Sequence, residues 1–264
     1  MFNANAAENY YESITNQKGF ELKSALKKLL ARTHRPQGYK ALYRVYITSD
    51  IDTTYDNDGS IVDMYSENPK GVDPYIFKTE RQRCGQYSKE ADCYNREHIF
   101  PQSSFKKKPP MRSDFFHVYP TDGYVNNRRG HFPFGEVDGI PSYTSQNGSK
   151  VGYNTFESQG SKVFEPINEF KGDIARALFY FATRYENRIQ EFHHDWLDGS
   201  RSRVYKPWFT RLLLKWHRQD PVSVHEQNRN NAGFSFQENR NPFIDHPEYV
   251  ESIWANSIPL PSTP

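Results

Sequence analysis

No stretch of this 264-residue sequence approaches the roughly 18 consecutive apolar residues that a membrane-crossing helix needs, so no helical span is expected in it. The segment from Met1 to Tyr11 lacks both the basic start and the apolar middle of a signal peptide. Net charge is nearly absent as well. At +2 for the whole chain it carries no information about partners. No repeat of fixed period is visible, which sets aside solenoid and propeller architectures. Cysteine is scarce, with only Cys84 and Cys93 present. An even count at short spacing is compatible with one disulfide in an oxidising compartment, and closing so short a loop contributes roughly 2 to 3 kcal/mol in the chain-entropy model. Two reduced, buried thiols in a cytosolic protein are the alternative.

The length is enough for a sizeable core, and one domain spanning residues 1–264 is expected. "FELKSALKKLLART" sets Leu22, Ala25, Leu26, Leu29 and Leu30 at helical spacing, with Lys23, Lys27 and Lys28 turned away. "YKALYRVYITSDI" is β-branched and aromatic with partial alternation and reads as a strand. In "DTTYDNDGSIVDMY", Asp56, Asp58 and Gly59 match part of a calcium loop. Its first and twelfth positions would be Thr54 and Tyr65, both wrong for that pattern, so a hairpin turn leading into a strand "SIVDMY" is expected.

Further on, "SYTSQNGSKVGYNTFESQGSK" reads as turns and loops. "PINEFKGDIARALFYFATRYENRI" places Phe170, Ile174, Leu178, Phe181 and Tyr185 on one helical face, with Arg176 and Arg184 flanking it as a solvated surface. "WFTRLLLKWH" packs Phe209, Leu212, Leu213 and Trp216 in the same way, and a short helix is expected over Pro247 to Trp254. Strands ahead of helices indicate a mixed α+β fold.

Local charge is less even than the total. Between Tyr94 and His131, Arg96, Lys106, Lys107, Lys108, Arg112, Arg128 and Arg129 face only Glu97, Asp114 and Asp122. Within this stretch "CYNREHIF" is a strand carrying Glu97 and His98, and "FFHVYP" is a second strand. Thr121 can cap a short helix through Asn126 to Arg129, with Gly130 as its stop. Folded back on itself, this unit can bring the Asn126 amide oxygen to the Glu97 carboxylate, two hard ligands for Mg2+, with Mn2+ or Ca2+ as substitutes. Neutral His98 can take a proton from water, and Arg96, Arg128 or Arg129 can bind phosphate oxygens. Phosphodiester hydrolysis with weak sequence preference fits these groups. Taken singly, each residue is more often structural than catalytic, and spacing alone leaves the two readings level. His98, His117 and His131 also cluster in sequence and offer a zinc site as a third reading.

"CYNREHIFPQSSF" followed by "YPTDGYVNNRRGHFPFGEV" resembles the bacterial endonuclease I family, secreted or periplasmic nonspecific nucleases built on a ββα-metal (His-Me) finger. Similarity extends over most of the chain from about Tyr10 to Trp254, including "IDTTYDNDGSIVDMYSENPKGVDPY" and "LLLKWHRQDPVSVHEQNRNNAGFSFQENRNPFIDHPEYVESIW". The resemblance implies such a finger at about residues 94–131 within a largely helical domain. It puts the general base at His98, the metal ligands at Glu97 and Asn126, and at Arg129 a catalytic arginine that contacts phosphate or braces the finger. Arg96, Arg128, Lys106, Lys107 and Lys108 are expected to contact nucleic acid, and His117 to hold the His98 ring. Relatives often read "DLHHLYP" where this chain has "DFFHVYP", so Phe116 replaces a polar residue; Gly130 and His131 stand where relatives often have Ser and Asn. The implied activity is magnesium-dependent cleavage of DNA, with RNA as a further substrate, leaving 5′-phosphate ends, by a monomer that is secreted or periplasmic and does not bind membrane. The chain would then be a mature or trimmed form. A nucleic-acid-binding module that has lost catalysis is the competing reading.

Overall fold

The structure is a computed structural model and describes residues 9–14 and 16–258. Most of the Met1–Tyr11 segment therefore lies outside the described residues. Helix α1, Gly19–Thr33, buries Leu22, Leu26, Leu29 and Leu30 at the expected spacing. Lys23 departs from the expectation. It sits beside Leu22 on the inner face, and its ammonium donates to Glu186 Oε2 at 3.0 Å and the Arg201 carbonyl at 2.6 Å, which makes its burial tolerable.

The segment expected as a strand is instead helix α2, Ala41–Ser49. Leu42, Tyr43 and Tyr46 are buried at spacings of one and three residues, and the Tyr46 hydroxyl donates to the Val118 carbonyl at 3.1 Å. Packing of these large rings outweighs the β propensity of the local residues. The hairpin expected next reduces to a single bridge, Ile51 with Ile61. No strand follows, because Asp63 closes a tight turn, accepting from the Tyr65 amide with its side chain and from the Ser66 and Glu67 amides with its carbonyl.

Strand β1, Tyr94–His98, runs antiparallel to β2, Val118–Asp122, in a two-stranded sheet that pairs Glu97 with Tyr119 and His98 with Val118. The second strand starts later than expected. Phe115–His117 forms a 3-10 turn whose start is capped by Asp114, which accepts from the Phe116 amide. Helix α3, Gly123–Arg129, follows at once. Its cap is Asp122 rather than Thr121: the Asp122 carboxylate accepts from the Tyr124 and Val125 amides, while Thr121 is buried within β2. Gly130 ends the helix as expected, at φ +57°. Cys84 and Cys93 form a disulfide packed on Gly123, where a Cβ would come within 2.3 Å of the Cys84 sulfur.

The segment expected as loops is an antiparallel meander of β3 (Tyr143–Thr144), β4 (Lys150–Tyr153) and β5 (Lys162–Glu165). Its strands are too short and polar to show alternation. Helix α4, Lys171–Arg184, is buried along nearly its whole length. Arg176 is therefore not on a solvated surface. It is fully buried, with its guanidinium on both Glu226 oxygens at 2.6 Å and on the Asp220 carbonyl at 2.8 Å.

Around α4 lie α5 (Pro207–Gln219), α6 (Val224–Gln237), α7 (Pro242–Asp245) and α8 (Glu248–Trp254). Helix α6 begins with a capping box, Ser223 and Glu226 each accepting the other's amide. One hydrophobic cluster runs from Tyr11 to Trp254 and joins the helices to both sheets. The fold is mixed α+β, as read from composition and pattern, although two helices precede the first strand.

Candidate functional site

Among the described residues strand β1 pairs along its length only with β2, apart from one bridge between Arg83 and Tyr94, and Asn95, Arg96, Glu97 and His98 all lie along one opening. An open cavity of about 290 Å³ lies there, lined among others by Tyr39, Arg96, Glu97, His98, Asn126 and Arg129. Its walls come from β1, α3, the turn before α2 and the loop after β1.

Glu97 is 1% exposed. Its Oε1 accepts from Arg129 Nη1 at 2.8 Å and from the Tyr65 hydroxyl at 3.2 Å. Among the described residues Oε2 accepts nothing. Burial raises the carboxyl pKa to about 7 even though Arg129 and Tyr65 pull it down. Asn126 lies one helical turn from α3's start, and its amide nitrogen donates to Asn95 Oδ1 at 2.6 Å. That leaves its carbonyl oxygen without a hydrogen bond among the described residues. Arg129 is buried, with Nη1 and Nη2 also donating to the His98 and Ile99 carbonyls at 3.0 and 2.9 Å, so its guanidinium braces β1 against α3.

His98 is nearly buried, and its Nε2 meets the Arg112 carbonyl at 3.0 Å. A neutral imidazole facing a carbonyl carries its proton on that nitrogen, which leaves Nδ1 unprotonated. Burial first, then His117, lowers the His98 pKa well below 6.5, so the ring is neutral at pH 7. His117 does not hydrogen-bond to His98. Its ring stands edge-on at 5.8 Å, and its Nε2 takes the neighbouring Met111 carbonyl at 2.6 Å. Two consecutive carbonyls thus hold two histidines. Phe116 faces away, packing on Tyr180 and Gly233 in the helical layer.

The basic residues part company. Arg96 lies over the Tyr39 ring at 3.5 Å and the Tyr43 ring at 4.2 Å, and Arg112 covers Tyr39 from 4.1 Å. Arg128 is exposed and donates to the Tyr124 hydroxyl at 2.5 Å. Lys106, Lys107 and Lys108 are exposed on the loop after β1. None of these last four lines the cavity. The zinc trio does not gather: His98 and His117 turn Nε2 to main-chain carbonyls, exposed His131 reaches the cavity rim, and among the described residues no three-ligand group contains them.

Four contributors escaped the sequence reading: Tyr39, Tyr43, Tyr65 and Asn95. A signal existed for Asn95, because residues i and i+2 of a strand share a face and Glu97 follows it by two. Tyr65 is distant in sequence and gave none.

A family model described as Endonuclease I matches residues 18–248. The chain belongs to the endonuclease I family. It is 31% identical over 252 residues to an extracellular ribonuclease of Bacillus amyloliquefaciens, covering 94% of this chain and 78% of that protein. Identity to the extracellular ribonuclease of Bacillus subtilis (strain 168) is 30% with the same coverage. A periplasmic deoxyribonuclease of Aeromonas hydrophila is 29% identical over 135 residues, 51% of this chain and 48% of that protein. As a member of the endonuclease I family the chain is a nuclease, a phosphodiester hydrolase.

Proposed function

We propose that the β1–β2–α3 unit is a ββα-metal finger and that the cavity at its edge is the active centre of a nonspecific, metal-dependent endonuclease. The observation that carries this reading is that Glu97, His98 and Asn126 line one cavity, with Glu97 Oε2 and the Asn126 amide oxygen accepting no hydrogen bond among the described residues. Two uncommitted oxygen donors, one a buried carboxylate whose charge lacks full compensation, fit a hard divalent cation of the Mg2+ type. Bound there, such an ion supplies neutralisation of phosphate charge and stabilisation of the departing oxygen. Asn95 and Arg129 orient the two ligands, and Arg129 therefore acts as a positioning residue.

His98 takes a proton from water, the oxygen attacks phosphorus, and the bond to the 3′ oxygen breaks, leaving a 5′-phosphate. The 3′ oxygen then takes a proton from solvent. Arg96, held flat on Tyr39, provides phosphate contact, a mode that does not read sequence. The exposed Lys106, Lys107, Lys108 and Arg128 extend the positive surface for the strand.

Both RNA and DNA are proposed substrates, since relatives of both designations are similar to this chain. Secretion or periplasmic residence is supported by the same names and by the disulfide. The continuous core supports one domain, and a monomer is the proposed state. Nicking of supercoiled plasmid and cleavage of an RNA oligonucleotide, each with Mg2+ and with chelator, test the assignment. His98→Ala is expected to lose about 10² to 10⁴ in rate while still folding and unfolding in one cooperative transition. Undiminished cleavage by this variant removes His98 from the reaction.

A further inference from the structure

At the edge of the cavity two positive charges stand together without a negative one. Arg96 and Arg112 both lie over the Tyr39 ring, their guanidinium carbons 3.5 and 4.1 Å from its centre. Among the described residues neither has a carboxylate partner. Arg96 makes one hydrogen bond, from Nη1 to the Tyr39 carbonyl at 2.9 Å, and among the same residues the Arg112 guanidinium makes none. The Nε of each is buried and unpartnered. A tyrosine face attracts a cation without neutralising it, and two guanidinium groups on one ring repel each other. Such a pair suits an anion. Arg112 is also held still. Its carbonyl faces His98 Nε2 at 3.0 Å, and the Met111 carbonyl before it takes His117 Nε2 at 2.6 Å, so two histidines fix the turn that carries it. Arg96 lines the cavity and Arg112 does not, which puts the second guanidinium beside the space for a scissile phosphate rather than in it.

We propose that Arg112, with Arg96 and Tyr39, forms a second phosphate subsite that takes a phosphodiester neighbouring the scissile one, an assignment that rests on the nuclease reading of the cavity. The ligand is the backbone of DNA or RNA alike, since a guanidinium fork addresses nonbridging phosphate oxygens and neither base nor sugar. Tyr39 fixes the separation of the two cations, and the turn at Met111 fixes their distance from His98. A strand seated at both positions is therefore held in register against the base. Arg112 takes no part in the chemistry; it binds substrate. The exposed Lys106, Lys107 and Lys108 offer charge on the same loop without this fixed geometry. Plain packing of Arg112 on Tyr39 is the rival role.

The test compares the full wild-type chain with Arg112→Gln, a substitution that leaves the main-chain carbonyl facing His98 in place. Binding of a labelled octanucleotide with chelator present, read by fluorescence anisotropy, needs no catalysis. It is expected to weaken about tenfold or more in the variant, and the slope of log affinity against log salt to become shallower by about 0.7 for a single strand. With Mg2+, the KM for octanucleotide cleavage is expected to rise by a similar factor with little change in kcat, and the loss on a dinucleoside monophosphate, whose one phosphate is the scissile one, to stay within about twofold. Arg112→Lys should keep the salt slope. Equal affinity and equal salt slope in Arg112→Gln and wild type overturn the proposal. So does an equal loss on both substrates, which assigns Arg112 to packing around His98. If the wild type cleaves neither substrate the nuclease reading falls, and the anisotropy comparison still decides the subsite.

Discussion

At the scale of single residues, the candidate centre depends on groups that orient other groups. Asn95 decides which end of the Asn126 amide faces the cavity, because it accepts from the nitrogen and so exposes the oxygen. Asn95→Ala is expected to raise the metal concentration for half-maximal cleavage by about 10- to 100-fold, with a smaller change in the rate at saturating metal. Equal metal dependence in variant and wild type would show that the amide needs no such support. Glu97, His98 and Asn126 stood out in the sequence as candidates because an acid, a histidine and an amide fell on one short unit, although spacing alone left the structural and catalytic readings level and their proposed roles came from the family resemblance. Arg96 was legible only as charge. Its stack on Tyr39 joins residues 57 positions apart, and nothing in either local pattern announces the other.

Among the elements, α1, α4 and α5, with long apolar stripes, were read correctly, α2 was taken for a strand because it is rich in aromatic and β-branched residues, and α6, with a polar inner face, was not read as a helix. Helix α6 turns His225, Glu226, Arg229, Asn230, Gly233 and Gln237 inward, so no hydrophobic period marks it, although its Ser223–Glu226 capping box was available. What it buries is a polar lattice. Arg229 donates to Asp50 Oδ1 at 2.7 Å and to the Val118 carbonyl at 2.9 Å while lying over the Phe115 and Tyr119 rings. Through that arginine the helix fixes the start of β2. Gly233 lets it approach: a Cβ there would stand 2.5 Å from the Phe116 ring and 2.9 Å from the Phe115 ring. Overpacking costs about 1 to 3 kcal/mol, against roughly 1 kcal/mol gained in helix propensity, so Gly233→Ala is expected to lower stability by up to about 2 kcal/mol. Denaturant unfolding measures the loss, and adding Phe116→Leu should recover part of it. The meander β3–β5 was illegible for a different reason, since two to four residues per strand are too few to display a period of two.

For the whole molecule, buried histidines set the acid limit. Burial is the leading cause that holds both His117 and His217 near a pKa of about 4, below the ordinary 6.5. Between those values the unfolded chain binds protons at these two sites that the folded chain refuses, so the stability they contribute is complete above about pH 6.5 and is lost as pH falls toward 4. Each site contributes roughly 3 kcal/mol to that decline. Glu97 and Asp220, whose pKa values burial raises to about 7, act in the opposite sense over the same window, so the readout is a difference: the melting temperature of His217→Gln should fall less steeply with acid than that of the wild type, and equal slopes would contradict the neutral burial of that ring. The overall class was readable because the helices of the second half carry clear stripes, but the joining of distant segments was not. The Tyr11 hydroxyl reaches Asp245 at 2.7 Å, and α1 packs on α8. The two extremities of the folded body are consequently neighbours. A circular permutant that links them and opens the chain at fully exposed Ile140 would keep every strand pairing described above, at the cost of one reconnected surface loop.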